Sequence, residues 1–239
     1  VAIAIDSSTP AIVSGTGSTK TTTTFSPPAF SLIVALVAFE QLSGAGTITM
    51  STTGTLSWTN RVARNISDAG GNGGHVAIFT APSVGAQSGI TVTATSAVGS
   101  DAGALKVLVI TGADLGSVGT NGEGSSTTTN LTVNTAYTST VNGSRGVAIG
   151  NDYQGQGAVT TSGDTGFAYN INTRSSGIAI HKASNTATAG TAVSFNFDGG
   201  SNGGRQWNWA ALEIKPESQL LVTKPVLIDQ VAVQTAAYW

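Results

Sequence analysis

Apolar and polar residues alternate with a period of two along most of this chain. Ile90, Val92 and Ala94 alternate with Thr91, Thr93 and Thr95, which puts apolar side chains on one face of a strand and hydroxyls on the other. Val193, Phe195 and Phe197 repeat the pattern. Further strands are predicted over 1–5, 31–39, 47–50, 56–64, 75–81, 105–111, 135–141, 146–153, 167–171, 178–183 and 206–215. The run LIVALVAF at 32–39 is apolar at both parities, and so is LKVLVIT at 105–111, where Val107 and Val109 oppose Leu108 and Ile110. Such runs mark strands covered on both faces. AGGNGG at 69–74, GTNGEG at 119–124 and GGSNGG at 199–204 supply the positive φ angles of tight turns. No window sustains a capped 3.6-residue period, so almost no helix is predicted. Many short strands separated by turns indicate a sandwich or barrel.

The pattern occurs twice. VAIFTA at 76–81 aligns with IAIHKA at 178–183, the strand at 90–94 with 193–197, and LKVLVIT at 105–111 with WAALEIK at 209–215. The order is the same and the spacing nearly constant. Gly146–Asp152 matches Ile33–Phe39 less closely. The expected fold is therefore all-β, a jelly-roll-like two-sheet sandwich over 1–216 built from pseudo-repeated halves at about 25–112 and 135–216. Neither half alone would bury its apolar face. The Gly/Ser/Thr-rich segment 113–134 reads as a surface crossover between them.

After Pro216 the pattern changes. Residues 217–239 read as an extended arm, since Pro225 interrupts the apolar residues Leu220, Leu221, Val226, Leu227, Ile228 and Val231 before the closing Tyr238 and Trp239. An apolar arm outside a complete domain must bury itself, on its own sandwich or on a neighbouring subunit.

Composition narrows the class. Charged residues are 9% of the chain, against about 25% in an average soluble protein, so hydroxyls and amides must make the surface polar. Apolar residues are 40%, enough to argue against a disordered chain. The net charge of −2 is scattered without a basic stripe, which disfavours nucleic acid. There is no cysteine, hence no disulfide framework, thiolate metal site or cysteine nucleophile. The longest apolar run, 32–39, is too short to cross a bilayer.

Reactive constellations are weak. SGTGSTKT at 14–21 resembles a phosphate loop, but Thr19 stands where glycine should precede the lysine, and TTTTFSPP cannot form the helix that must follow. His75 and His181 lie at matching strand edges without ligand spacing, and are expected to face solvent or cap turns. Asp152, Asp164 and Asp198 sit at strand ends, where acidic residues usually form turns, so paired-carboxylate hydrolysis is disfavoured. No catalytic residue, cofactor or metal is expected. Trp58, Tyr153, Trp207 and Trp209 are candidates for a sugar-stacking platform. The competing role is core packing, and burial of at least one tryptophan is expected. Trp207 and Trp209 share a parity opposite to Leu212 and Ile214, so they point away from that side unless a bulge intervenes.

FSPPAFSLIVALVAF at 25–39, GTLSWTNRVARN at 54–65, HVAIFTAP at 75–82, GALKVLVITGAD at 103–114, TAGTAVSFNFDGG at 188–200 and WNWAALEIKP at 207–216 give the chain a resemblance to a family. Over 1–216 it resembles β-rich virion proteins of tailed bacteriophages, especially minor tail proteins of phages of actinobacteria. The resemblance implies a non-enzymatic structural protein on the virion exterior, in a minor tail or head-decoration role. It implies other virion proteins as partners, a homo-oligomer such as a trimer, and contact with host surface glycans. Within that expectation the sandwich is exposed and the arm serves assembly. The alternative is a carbohydrate-binding or host-adhesion module.

Overall fold

The computed structural model describes residues 2–41, 46–67, 73–97, 102–128, 130–155, 157–171, 174–198 and 206–218. Among these residues there are sixteen strands and no helix. They are β1 (Ala4–Ile5), β2 (Val13–Thr16), β3 (Thr19–Thr21), β4 (Ser31–Gln41), β5 (Ile48–Thr52), β6 (Thr59–Ser67), β7 (Gly73–Ser83), β8 (Val92–Ser96) and β9 (Ala102–Thr111) in the first half. The second half holds β10 (Asn121–Ser126), β11 (Asn130–Thr138), β12 (Arg145–Asp152), β13 (Thr165–Ile171), β14 (Ser175–His181), β15 (Ala192–Asp198) and β16 (Trp207–Ile214).

The strands form four antiparallel sheets, not the two expected. The first half has a large inner sheet ordered β1-β9-β4-β7-β6, with β2 also on β9, and an outer sheet ordered β3-β8-β5. The second half has an inner sheet ordered β10-β16-β12-β14-β13 and an outer pair β11-β15. The inner sheets correspond strand for strand: β9, β4, β7 and β6 match β16, β12, β14 and β13. In the second half the place of β5 is taken by a single bridge between Thr160 and Asp198. Each half thus has its own inner and outer layer. The segment expected to be a crossover instead carries β10 and the start of β11.

Three apolar layers fill the gaps between the four sheets. The middle one joins the halves: Leu32, Val34, Leu36, Val76, Ile78, Leu108 and Ile110 face Val147, Ile149, Ala179, Leu212 and Ile214. Ile33, Val37, Phe79, Val107 and Val109, of opposite parity, pack under the first outer sheet against Phe25, Ile48, Ile90 and Val92. Ala148, Ile178, Ile180, Trp207 and Ala211 pack under the second outer pair against Leu131, Val133, Tyr137, Val193, Phe195 and Phe197. This is why β4 over 32–39 and β9 over 104–110, Lys106 apart, are apolar on both faces: each is the filling of a double sandwich. A third of such a stack could not hide its apolar faces from water, so the layers are mutually dependent.

Candidate functional site

The seam between the halves is apolar at its centre and polar at one end. Asn151 shares the parity of Val147 and Ile149 and so faces the other half where that apolar strip gives out. Its Nδ2 donates to the Phe39 carbonyl at 3.3 Å, and its Oδ1 accepts from the Tyr169 hydroxyl at 2.7 Å and the Ser175 hydroxyl at 2.8 Å. Beside it Arg174 Nε donates to Glu40 Oε2 at 2.7 Å, an ion pair from one half to the other. Asn208 Nδ2 reaches across to the Arg64 carbonyl at 3.1 Å. Asp152 Oδ1 accepts from the backbone N–H groups of Gln154 and Gln206, each at 3.1 Å. Burial pushes the Tyr169 hydroxyl up, with the Asp152 and Glu40 charges adding to it, so it stays protonated and donates. Gly74 makes the approach possible: a Cβ there would lie 2.6 Å from the Tyr153 ring and 2.8 Å from Asn208 Oδ1.

These are groups that could move protons, but apart from the half-buried Arg174 they are buried, and all are held by hydrogen bonds. The bonds of Asn151 to the Phe39 carbonyl, Arg174 to Glu40 and Asn208 to the Arg64 carbonyl cross from the second half to the first, and the others brace them from within the second half. What the arrangement does is fix the register between halves, because an unpaired member would be costly in so dry a place.

Two other buried ionic groups play similar parts. Lys106 on β9, only 2% exposed, points into the same seam. Its Nζ donates to the Pro10 carbonyl and lies 3.9 Å from the centre of the Phe167 ring, which itself contacts His181 at 5.9 Å between centroids. Burial brings the Lys106 ammonium down from an ordinary 10.5 to about 8. Burial also lowers His181, helped by the Arg145 and Lys106 charges. Glu213 lies on the opposite face of β16 from the seam. Its Oε1 accepts from Thr140 N at 2.8 Å, and its Oε2 from Thr140 Oγ1 at 2.7 Å and Thr120 N at 3.1 Å. Burial alone would raise this carboxyl; the bonds from Thr140 and Thr120 outweigh it and hold it below the ordinary value.

The residues singled out from the sequence do not converge. Trp58 is half-buried against the first outer layer, whereas Trp207 and the half-buried Trp209 belong to the second. Trp207 is fully buried with its ring 6.0 Å from Phe197, and Tyr153 is buried with its hydroxyl donating to Gln206. Neither therefore offers a ring face to a sugar, which corrects their candidacy as contact residues. Trp207 and Trp209 do point away from Leu212 and Ile214, with no bulge, because β16 is covered on both faces. Both histidines are buried rather than exposed, and His75 is lowered by burial. Asp164 is engaged with Lys182 at 2.8 Å. In the segment resembling a phosphate loop, β2 and β3 pair with β9 and β8, and the buried Lys20 amine turns inward to the Gly17 carbonyl and over the Phe39 ring. The arm residues Leu220, Leu221, Val226, Leu227, Ile228, Val231, Tyr238 and Trp239 lie outside the described residues, as do most of the glycine-rich turns at 69–74 and 199–204.

Two surface grooves among the described residues bear on function. One, of about 280 Å³, lies where the chain leaves the domain and is lined by Phe30, Ala113, Asp114, Leu115, Glu217 and Ser218, among others. The other, of about 360 Å³, is bordered by Ile66, Ser125, Ser126, Thr127, Gln206 and Trp207. Sequence reasoning missed both, since each is assembled from residues far apart in the chain.

No family model matches the chain, and no curated protein or solved structure matches it.

Proposed function

We propose that this chain is a non-enzymatic structural protein of a tailed-phage virion exterior, in a minor tail or head-decoration role. The domain stands outward and the segment after Pro216 serves assembly with other virion proteins or further copies of the chain. The observation that carries this is strand order. Numbering β2 to β9 as eight successive strands, the inner sheet contains the order first-eighth-third-sixth and the outer sheet second-seventh-fourth. That is the order of a jelly roll, except that the fifth strand, β6, pairs with β7 in the inner sheet. The second half repeats it, with Thr160 standing in for the fourth strand. Two such units back to back suit a particle surface: the structure is thick, and its outer sheet carries Thr19, Thr21, Thr49, Ser51 and Thr93 instead of charges. An apolar tail following the last inner strand is the natural tether. Antibody raised against residues 1–216 is expected to label the outside of intact particles. A particle fraction that never contains the chain would sink the reading.

A second reading, a carbohydrate-binding or host-adhesion module, draws on the groove beside Gln206. Its lining of hydroxyls and an amide is chemistry that sugar hydroxyls match. Gln206→Ala should then abolish retention on a glycan array while the protein stays folded, with only a modest fall in melting temperature as the Tyr153 hydroxyl loses its bond to the amide. An array on which the unaltered protein binds nothing removes this alternative.

A further inference from the structure

Phe30 and Val84, at 68% and 62% exposure, are the large apolar side chains left open among the described residues. They are neighbours: Phe30 N donates to the Val84 carbonyl at 3.3 Å. Phe30 also has a φ of 58°, in the left-handed region that costs a non-glycine residue roughly 1–2 kcal/mol. Glycine or asparagine would fill that turn with less strain and without wetting a benzyl ring. What the phenylalanine adds is an apolar wall to the groove at the chain exit.

The chain itself is led to that groove. Pro216 bridges Ala113, Glu217 N donates to the Gly112 carbonyl at 2.8 Å, and Glu217 and Ser218 line the groove. The residues that follow are Gln219, Leu220, Leu221 and Val222. At roughly 3.3–3.6 Å per residue, Leu220 and Leu221 come within about 7–11 Å of Ser218. A segment tethered so closely meets the groove at an effective concentration in the mM range or above. A separate partner would have to outcompete it.

We propose that the groove walled by Phe30 is the seat of this chain's own segment 219–222, with Leu220 or Leu221 against the Phe30 ring. The proposal rests on the reading of 217–239 as an assembly arm and deepens it. The arm would be fastened at its root, and the part beyond Pro225 would be delivered from a fixed point to a neighbour.

The chain contains no cysteine, so a pair can be introduced cleanly. Phe30→Cys is combined in the full-length protein with Leu220→Cys, Leu221→Cys or, as control, Val231→Cys. Oxidation should give an intrachain disulfide with Leu220→Cys or Leu221→Cys at least tenfold faster than with Val231→Cys, as a shifted monomer band on a non-reducing gel. Equal rates at all three positions, no bond at 220 or 221, or a bond between chains would each overturn docking in cis. A chain ending at Thr223 separates this from the assembly reading. If it still cross-links through Leu221→Cys but no longer enters particles, both stand; if it cross-links and enters particles normally, the root docks and the assembly reading falls.

Discussion

Lys106→Met should change how stability depends on pH more than it changes stability at any single pH. The ammonium sits in the seam, 2% exposed, with only the Pro10 carbonyl and the Phe167 ring as described partners. Its descent from 10.5 to about 8 corresponds to roughly 3 kcal/mol in favour of the neutral amine, at about 1.4 kcal/mol per tenfold change. The unfolded chain holds this proton more tightly than the folded one, so stability rises with pH as long as the unfolded lysine remains charged. Between pH 7 and pH 10 the unaltered protein should gain about 2.5 kcal/mol from this group alone. Lys106→Met removes that gain. At pH 7 the variant avoids the buried charge but leaves the Pro10 carbonyl without its donor, a loss of roughly 1–3 kcal/mol, so it should be equal to or modestly more stable than the parent. By pH 10 it should be the less stable of the two. Urea unfolding followed by tryptophan fluorescence at pH 7, 8, 9 and 10 reads both curves. Above pH 10 the buried Tyr137 and Tyr169, both pushed up by burial, pull stability back down and obscure the effect. Parallel curves for the two proteins over pH 7–10 would falsify the reasoning.

Three further outcomes are expected. Trp207→Ala should cost about 3–5 kcal/mol in chemical unfolding, and Trp58→Ala clearly less, because only the first ring is wholly enclosed; equal losses would contradict the layer assignment. Glu213→Gln should flatten acid denaturation. The lowered carboxyl contributes stability above its ordinary 4.5 that is lost as pH falls through its folded value, so an unchanged acid midpoint would show the Thr140 and Thr120 bonds to be immaterial. Gly103→Ala should lower the melting temperature by an amount equivalent to about 1–3 kcal/mol or more, since its Cβ would fall 2.2 Å from the Ala38 carbonyl oxygen and against Phe39; calorimetry checks it.

The strand core was legible because burial on both faces writes itself as apolar residues at both parities, as at 32–39 and 105–111. The duplication was legible for the same reason: Leu108 and Ile110 of LKVLVIT and their counterparts Leu212 and Ile214 of WAALEIK both face the seam, whereas VAIFTA and IAIHKA fall on the matching strands β7 and β14 one residue out of phase, Val76 and Ile78 facing the seam but Ile178 and Ile180 the outer pair. The number of sheets was not, although double-faced strands already require a cover on each side. β10 was hidden by its composition. NGEGSS reads as a turn, yet Gly122 and Gly124 pair with β16 because a side chain there would strike the Ala136 carbonyl or the Trp209 indole. The polar seam was equally hidden. Asn151 and Ser175 look like ordinary solvent-facing residues until a second half closes over them, and the buried histidines misled for that same reason. A groove shared by Phe30 and Ser218 cannot be read from a linear pattern at all.

The place at which the chain departs from the domain has a mechanical consequence. The last strand, β16, is not an edge. It is paired from Asn121↔Leu212 to Ser126↔Trp207 on one side and from Arg145↔Ile214 to Asp152↔Trp207 on the other. Tension on residue 218 directed along that strand would load both ladders in shear, all bonds together, instead of unzipping them one after another. A tug on residue 218 is thus met by the middle of the protein, with both neighbours of the last strand resisting it at once.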